Sequence, residues 1–216
     1  MSARDNILGR IRTSLGRKAP LSERQSADMR EKLRAHPRGP QPIMDWDPVE
    51  RFKERCMVLS TTVDEVAGTD EVPAAVARYL SERALHTAGV CWPEFAGLSW
   101  EAAGLAVEGR AATGEDKIGI TGTFCAVAET GTLMLLSGAD THPATSLLPE
   151  THVAVVPASR LVRSMEDGWD LLRRERSDLP RQVAFVSGPS RTADIELTLV
   201  LGIHGPMRVH VVLVRG

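Results

Sequence analysis

The chain has 216 residues, 43% apolar and 25% charged. That suits one globular domain, or one with an appendage, able to bury roughly 70% of its unfolded surface without a metal or disulfide staple. With 26 Lys and Arg against 28 Asp and Glu, the net charge is −2. This argues against a general nucleic-acid binder, whose phosphate contacts need a basic excess. Cys56, Cys91 and Cys125 are odd in number and widely spaced. A disulfide framework, a zinc site or an iron–sulfur cluster held by this chain alone is therefore not expected, and a reducing compartment is. Met1-Ser2-Ala3-Arg4-Asp5 has no apolar signal core, and no apolar run approaches the ~18 residues of a membrane span. The expected location is the cytoplasm.

Ile7, Leu8, Ile11 and Leu15 fall on one helical stripe, and Leu21 to Ala35 is a charged segment with a thin apolar face. His36-Pro37-Arg38-Gly39-Pro40-Gln41-Pro42 then breaks any helix. Residues 1–42 thus read as an amphipathic helical arm and stiff linker. It is either a surface appendage or a docking helix for a partner or a second copy of the chain.

Residues 43–216 read as one α/β domain. Asp47 caps, Pro48 suits the first helical position, and a helix is predicted to about Leu59. A strand over Thr61–Ala67, a helix near Val72–Arg83 and a strand over Gly89–Trp92 follow. From Ile118 onward short apolar runs recur: Lys117–Thr121, Cys125–Ala128, Leu133–Leu136, Val153–Val156, Val183–Val186 and Val209–Val214. Most are uninterrupted, as strands covered on both faces should be. Helices are predicted from Pro143 through Leu148, from Ser164 to Arg176, and from Thr192 to Leu201 with a stop at Gly202. Strands alternating with helices imply a mostly parallel sheet between helical layers.

Three segments carry candidate chemistry. In Thr121-Gly122 and Glu129-Thr130-Gly131-Thr132, small apolar strands deliver one carboxylate into a Gly/Thr turn. Glu129 is expected to be buried; its pKa would then rise, suiting a nucleophile or general acid/base, with Gly131 allowing positive φ or close approach of a ligand. Equally, Glu129 is locked in an internal ion pair or caps neighbouring amides. In Ser187-Gly188-Pro189-Ser190-Arg191-Thr192-Ala193-Asp194, a strand ends and a helix is predicted to begin. Free amides and the Ser190, Arg191 and Thr192 donors would favour an anion there, or Asp194 simply caps an ordinary turn. His142, before Pro143, is a proton shuttle, a hydrogen-bond partner or a surface cap. His152, His204 and His210 show no ligand spacing, so no metal is expected.

Gly122 to Gly138, Val155-Val156-Pro157, Ser187 to Glu196, and Leu201-Gly202-Ile203-His204-Gly205-Pro206 leading into Val209–Leu213 together resemble the LUD domain of the lactate utilisation protein C family. The resemblance covers residues 47–216. It implies a fold similar to the ribose-5-phosphate isomerase and CoA-transferase group. It also implies a part in organic acid metabolism, oxidising L-lactate to pyruvate within a protein complex beside two iron–sulfur partner proteins. The chain lacks the cysteine clusters of one such partner, so it looks like the member without its own cofactor, and its chemical step stays open. Class I CoA-transferases present a nucleophilic glutamate in a Glu-Asn-Gly turn; Glu129-Thr130-Gly131 is similar, with Thr130 in place of asparagine.

Three readings follow. The favoured one is a non-redox component of an L-lactate oxidation system, binding a small carboxylate or anion near Glu129 and the Ser190–Asp194 turn. The second is a free-standing enzyme on an acyl or phosphate ligand, with Glu129 as nucleophile or base. The third is a non-catalytic scaffold docking through Ile7, Leu8, Ile11 and Leu15.

Overall fold

The computed structural model describes residues 2–16, 21–192 and 200–216. The chain divides into two compact units, 1–43 and 44–216. In the first, α1 (Ala3–Ser14) and α2 (Glu23–Ala35) are each opened by a serine capping box, Ser2 with Asp5 and Ser22 with Gln25. Neither helix buries a residue of its own; Ile7, Ile11, Leu15, Met29 and Leu33 stand exposed.

The second unit starts with α3 (Pro48–Val58), where the Asp47 carboxylate accepts from the amides of Val49 and Glu50. It continues through β1 (Thr62–Val66), α4 (Val72–Glu82), β2 (Ala88–Cys91), β3 (Ala106–Gly109), β4 (Ile118–Thr121), β5 (Cys125–Val127) and β6 (Thr132–Leu136). Then come α5 (Ala144–Leu147), β7 (Thr151–Pro157), β8 (Leu161–Val162), α6 (Met165–Glu175), β9 (Val183–Val186), β10 (Arg191–Thr192), β11 (Val200–Leu201) and β12 (Arg208–Val214).

Six strands form one all-parallel sheet in the order β1-β12-β7-β4-β2-β3. Its central strands are buried on both faces, which is why their sequences run apolar without alternation. Val153, Val155, Val212 and Val214 turn toward α4, meeting Val72, Val76 and Leu80. Ala154, Val156, Val211 and Leu213 meet Phe52 and Cys56 of α3 together with Ala126, Ala128 and Leu133. Each fully buried Val, Leu or Phe among these contributes about 1.5–3 kcal/mol.

A second sheet, β8-β5-β6-β9, is antiparallel except for the β5–β8 pair. The Ser164-capped α6 closes it, packing Leu172 on Cys125, Met134 and Leu136. The parallel sheet and its helical cover agree with the sequence reading; the antiparallel sheet is additional to it.

One element differs. The helix expected over Thr192–Leu201 does not begin where predicted, because Arg191–Thr192 and Val200–Leu201 are antiparallel strands paired with each other. Asp194, with 193–199, lies outside the described residues.

Candidate functional site

The Glu129 turn is the hairpin connection from β5 to β6. Ala128 and Glu129 donate their amides to the Val162 and Arg163 carbonyls at 2.8 and 3.0 Å, and Gly131 donates to Val127 at 2.9 Å. Glu129 is half-buried rather than buried as expected. Among the described residues it has no ion-pair partner, and it does not line the hollows described below. The hydroxyls beside it are tied together: Thr130 Oγ1 lies 2.7 Å from Thr132 Oγ1, which lies 2.7 Å from Ser187 Oγ.

Gly131 has φ +68°, and a Cβ there would sit 2.9 Å from the backbone of Arg55 and Cys56 in α3. Gly188, at φ +86°, would meet the Leu59 carbonyl at 2.7 Å. Both glycines of the candidate turns therefore allow the close approach of α3 and of Leu59 after it. The structure does bring Thr130, Gly131, Thr132 and Gly188 together, around the end of that helix. Glu129→Gln is accordingly expected to change stability by no more than about 0.5 kcal/mol and to leave anion affinity unaltered. Urea denaturation and calorimetric titration check both, and a variant that lost its ligand would restore Glu129 to the site.

Thr121, Gly122 and His142 lie apart from these. Thr121 is fully buried, with Oγ1 2.8 Å from His152 Nε2. A Cβ at Gly122 would meet Glu94 Oε1 at 2.5 Å. His142 is half-buried beside α5 and its carbonyl accepts from Trp92 Nε1 at 3.2 Å. Beyond the carboxyl ends of β2 and β4 is a hollow of about 390 Å³ with Trp92, Glu94, Thr123 and Arg160 among its walls. Desolvation pushes the Glu94 carboxyl above its ordinary value. The Arg160 guanidinium is consumed internally, donating to the Phe124 carbonyl at 2.7 Å and to both Glu175 oxygens at 2.7 and 3.0 Å. Arg176 also lines this hollow and makes no side-chain hydrogen bond or ion pair among the described residues.

The opposite ends of the strands gather three arginines. A hollow of about 660 Å³ is lined by Ser60, Thr62, Tyr79, Arg83, Pro189, Arg191, Met207, Arg208 and Val209. An adjoining one of about 570 Å³ shares Ser60, Thr62, Tyr79 and Arg83 and reaches His210. The chain ends of four elements build it: the turn after α3, the start of β1, the end of α4 and the start of β12, with β10 above. Arg191 donates to the Leu59 carbonyl at 3.2 Å and to Ser60 Oγ. The Arg83 guanidinium lies 4.4 Å from the Tyr79 ring centroid. Arg208 has no side-chain hydrogen bond or ion pair among the described residues. Three arginines thus line one hollow beside the Ser60 and Thr62 hydroxyls, Arg83 also lying 3.6 Å from Glu82; planar forked donors of this kind match the two oxygens of a carboxylate.

Among the described residues, Arg191 alone of the expected anion-binding residues lines this hollow. Ser190 serves its own turn, donating its amide to Pro206 at 2.8 Å and accepting from the His204 amide at 3.3 Å. Thr192 pairs with Val200 through the strand, so the described residues Ser190 to Thr192 do not open a helix. Sequence reading missed Ser60, Thr62, Tyr79, Arg83, Arg208 and His210. The available signal was a histidine inside the apolar run Val209–Val214. A buried imidazole needs partners, and partners mark a polar pocket.

Fold and hollow together define an α/β domain with an arginine-lined hollow. The LUD domain family model matches residues 102–214. Lactate utilization protein C of Bacillus subtilis is 30% identical over 233 aligned positions, covering 97% of this chain and 95% of that one. Its Bacillus licheniformis counterpart is 35% identical over 128, covering 57% and 53%. The crystal structure of a DUF162 family protein from Deinococcus radiodurans superposes with a TM-score of 0.59 at 24% identity, covering 81% of this chain and all of that one. The chain belongs to the LUD domain family and, within it, to the lactate utilization protein C family.

Proposed function

We propose that this chain is the non-redox component of an L-lactate utilisation system, and that it holds a small carboxylate in the hollow of Arg83, Arg191 and Arg208. The observation that carries the reading is the convergence of three guanidiniums from α4, β10 and β12 on one hollow. Relatives named for lactate utilisation supply the process. Electrons would leave through iron–sulfur partner proteins. In support, Cys56, Cys91 and Cys125 each lie in a different apolar cluster. Burial pushes their thiols up to about 12, 11 and 11, the reverse of what thiolate ligands need. Among the described residues, no three His, Cys, Asp or Glu side chains converge as metal ligands, and no helix is long and apolar enough to cross a membrane.

Calorimetric titration with L-lactate and pyruvate tests the site. Arg208→Ala is the informative variant, because Arg208 has no side-chain partner to lose among the described residues. Removing one charged donor should weaken binding about tenfold to a hundredfold while leaving urea stability unchanged. Absence of saturable binding by the unaltered protein overturns the reading. The role is tested by mixing the purified chain, inactive alone, with iron–sulfur partners and measuring L-lactate oxidation.

A further inference from the structure

We propose that the N-terminal arm docks on a second copy of this chain, laying the apolar stripe of α1 and its arginines along the acidic face of α3 in that copy. Charge is divided unevenly along the sequence. Residues 1–42 carry ten Lys and Arg against four Asp and Glu, whereas residues 43–216 carry sixteen against twenty-four. The near-neutral total thus joins a basic arm to an acidic domain. Among the described residues, Arg4, Arg10, Arg24, Arg30, Lys32 and Arg34 of the arm have no ion-pair partner. In the main domain Arg51, Lys53, Arg78, Arg110 and Arg160 are all paired. The stripe is equally uncovered, with Ile7, Ile11 and Leu15 exposed. Helices as short as the 12 residues of α1 are marginal alone in water, so docking of the stripe stabilises it.

Helix α3 presents the complement. Asp47, Glu50, Glu54 and Met57 recur at helical spacing and, with Trp46, border a hollow of about 370 Å³. The Glu50 and Glu54 side chains are 66% and 59% exposed, and Met57 and Val58 beyond them are exposed too. Arg51 and Lys53 also line the hollow, Arg51 holding Glu54 at 2.8 Å and Lys53 holding Glu50 at 3.2 Å. Exposed pairs of this kind are worth about 0–1 kcal/mol, so an incoming guanidinium can share either carboxylate. Arg4 continues the stripe of Ile7, Ile11 and Leu15 one turn earlier, and Arg12 flanks it. At about 1.5 Å per residue, α1 is about 18 Å long and α3 about 16 Å, so stripe and face match in length. A second copy is favoured over a lipid surface on two grounds. Residues 1–42 contain no Trp or Phe to seat a helix in lipid, and the acidic excess of the main domain would be repelled by anionic headgroups. Two copies exchanging arms across a two-fold axis use every such face and close the assembly.

The test follows the mass of the full chain by sedimentation velocity over a range of protein concentrations, with thermal melting to confirm that each variant folds. The expected result is a concentration-dependent dimer in about 0.1 M salt that weakens toward about 1 M, where screening shortens from about 10 to 3 Å. Ile7→Ser with Ile11→Ser, and separately Arg4→Glu with Arg12→Glu, should each weaken association about tenfold or more. Glu50→Arg with Glu54→Arg should weaken it as much. Combining those two α3 changes with Arg4→Glu and Arg12→Glu should restore the dimer, a rescue that damage to either helix would not give. A monomer at every concentration overturns the proposal, as does a dimer that the arm variants or the α3 variants leave unchanged. A monomer that co-sediments with phosphatidylserine vesicles through its arm overturns it too, and assigns the arm to a lipid surface.

Discussion

Lowering the pH from 7 to 4.5 is expected to cost the domain about 2–3 kcal/mol for each of His152 and His210, roughly 5 kcal/mol together. Both imidazoles are buried, and desolvation pushes each down from 6.5 to about 4. Unfolded, they take up protons as the pH falls through ~6.5; folded, they stay neutral until about pH 4. The unfolded chain then binds more protons, so stability is fully present above the unfolded value and drains away toward the folded one. The lowered carboxylates do not confuse this window. Lys53 and Arg215 hold Glu65 below its ordinary value, and Arg110 takes Asp116 to about 2, so their contributions are lost at lower pH. Urea denaturation at pH 7, 6, 5 and 4.5 should show the slope, with about two protons taken up on unfolding near pH 5. A single non-titrating replacement, His152→Asn or His210→Gln, should halve it. A stability flat between pH 7 and 5 contradicts the burial of these rings.

Gly131→Ala should cost about 3 kcal/mol. An L residue at φ +68° loses roughly 1–2 kcal/mol to its own backbone. The new methyl would also press on the Arg55 and Cys56 backbone at 2.9 Å, an overpacking worth about 1–3 kcal/mol. Helix α3 cannot retreat easily, because Phe52 and Cys56 are embedded in the core beneath it. The two explanations of the Glu-Thr-Gly turn part here. If glycine admits α3, the variant is destabilised and still binds its anion at 15 °C. If it admits a ligand, stability stays near normal and affinity disappears.

Much of the fold was legible in residues. Asp47-Pro48 and Ser164 named two helix starts, and the uninterrupted runs at Ile118, Val153 and Val209 named central parallel strands. These signals are local or depend only on whether both faces of a strand are covered. The site was less legible. Glu129 drew attention because a carboxylate beside small apolar residues suggests burial, yet it is only half-buried while Gly131 and Thr132 beside it are buried. Arg83 and Arg208, 125 residues apart, gave no sign of meeting, since an arginine at a helix end or strand start is ordinary in sequence.

The sequence by itself determined the class of the domain, its family, most of its elements and the sparseness of its ligating cysteines, because periodicity, capping and composition are properties of short stretches of chain. Only the tertiary structure decided which polar side chains share a hollow. The pairing of β1 with β12 brings Thr62 to His210, and the end of α4 brings Tyr79 and Arg83 to both. Register and packing between distant segments set those meetings, and no local pattern encodes them.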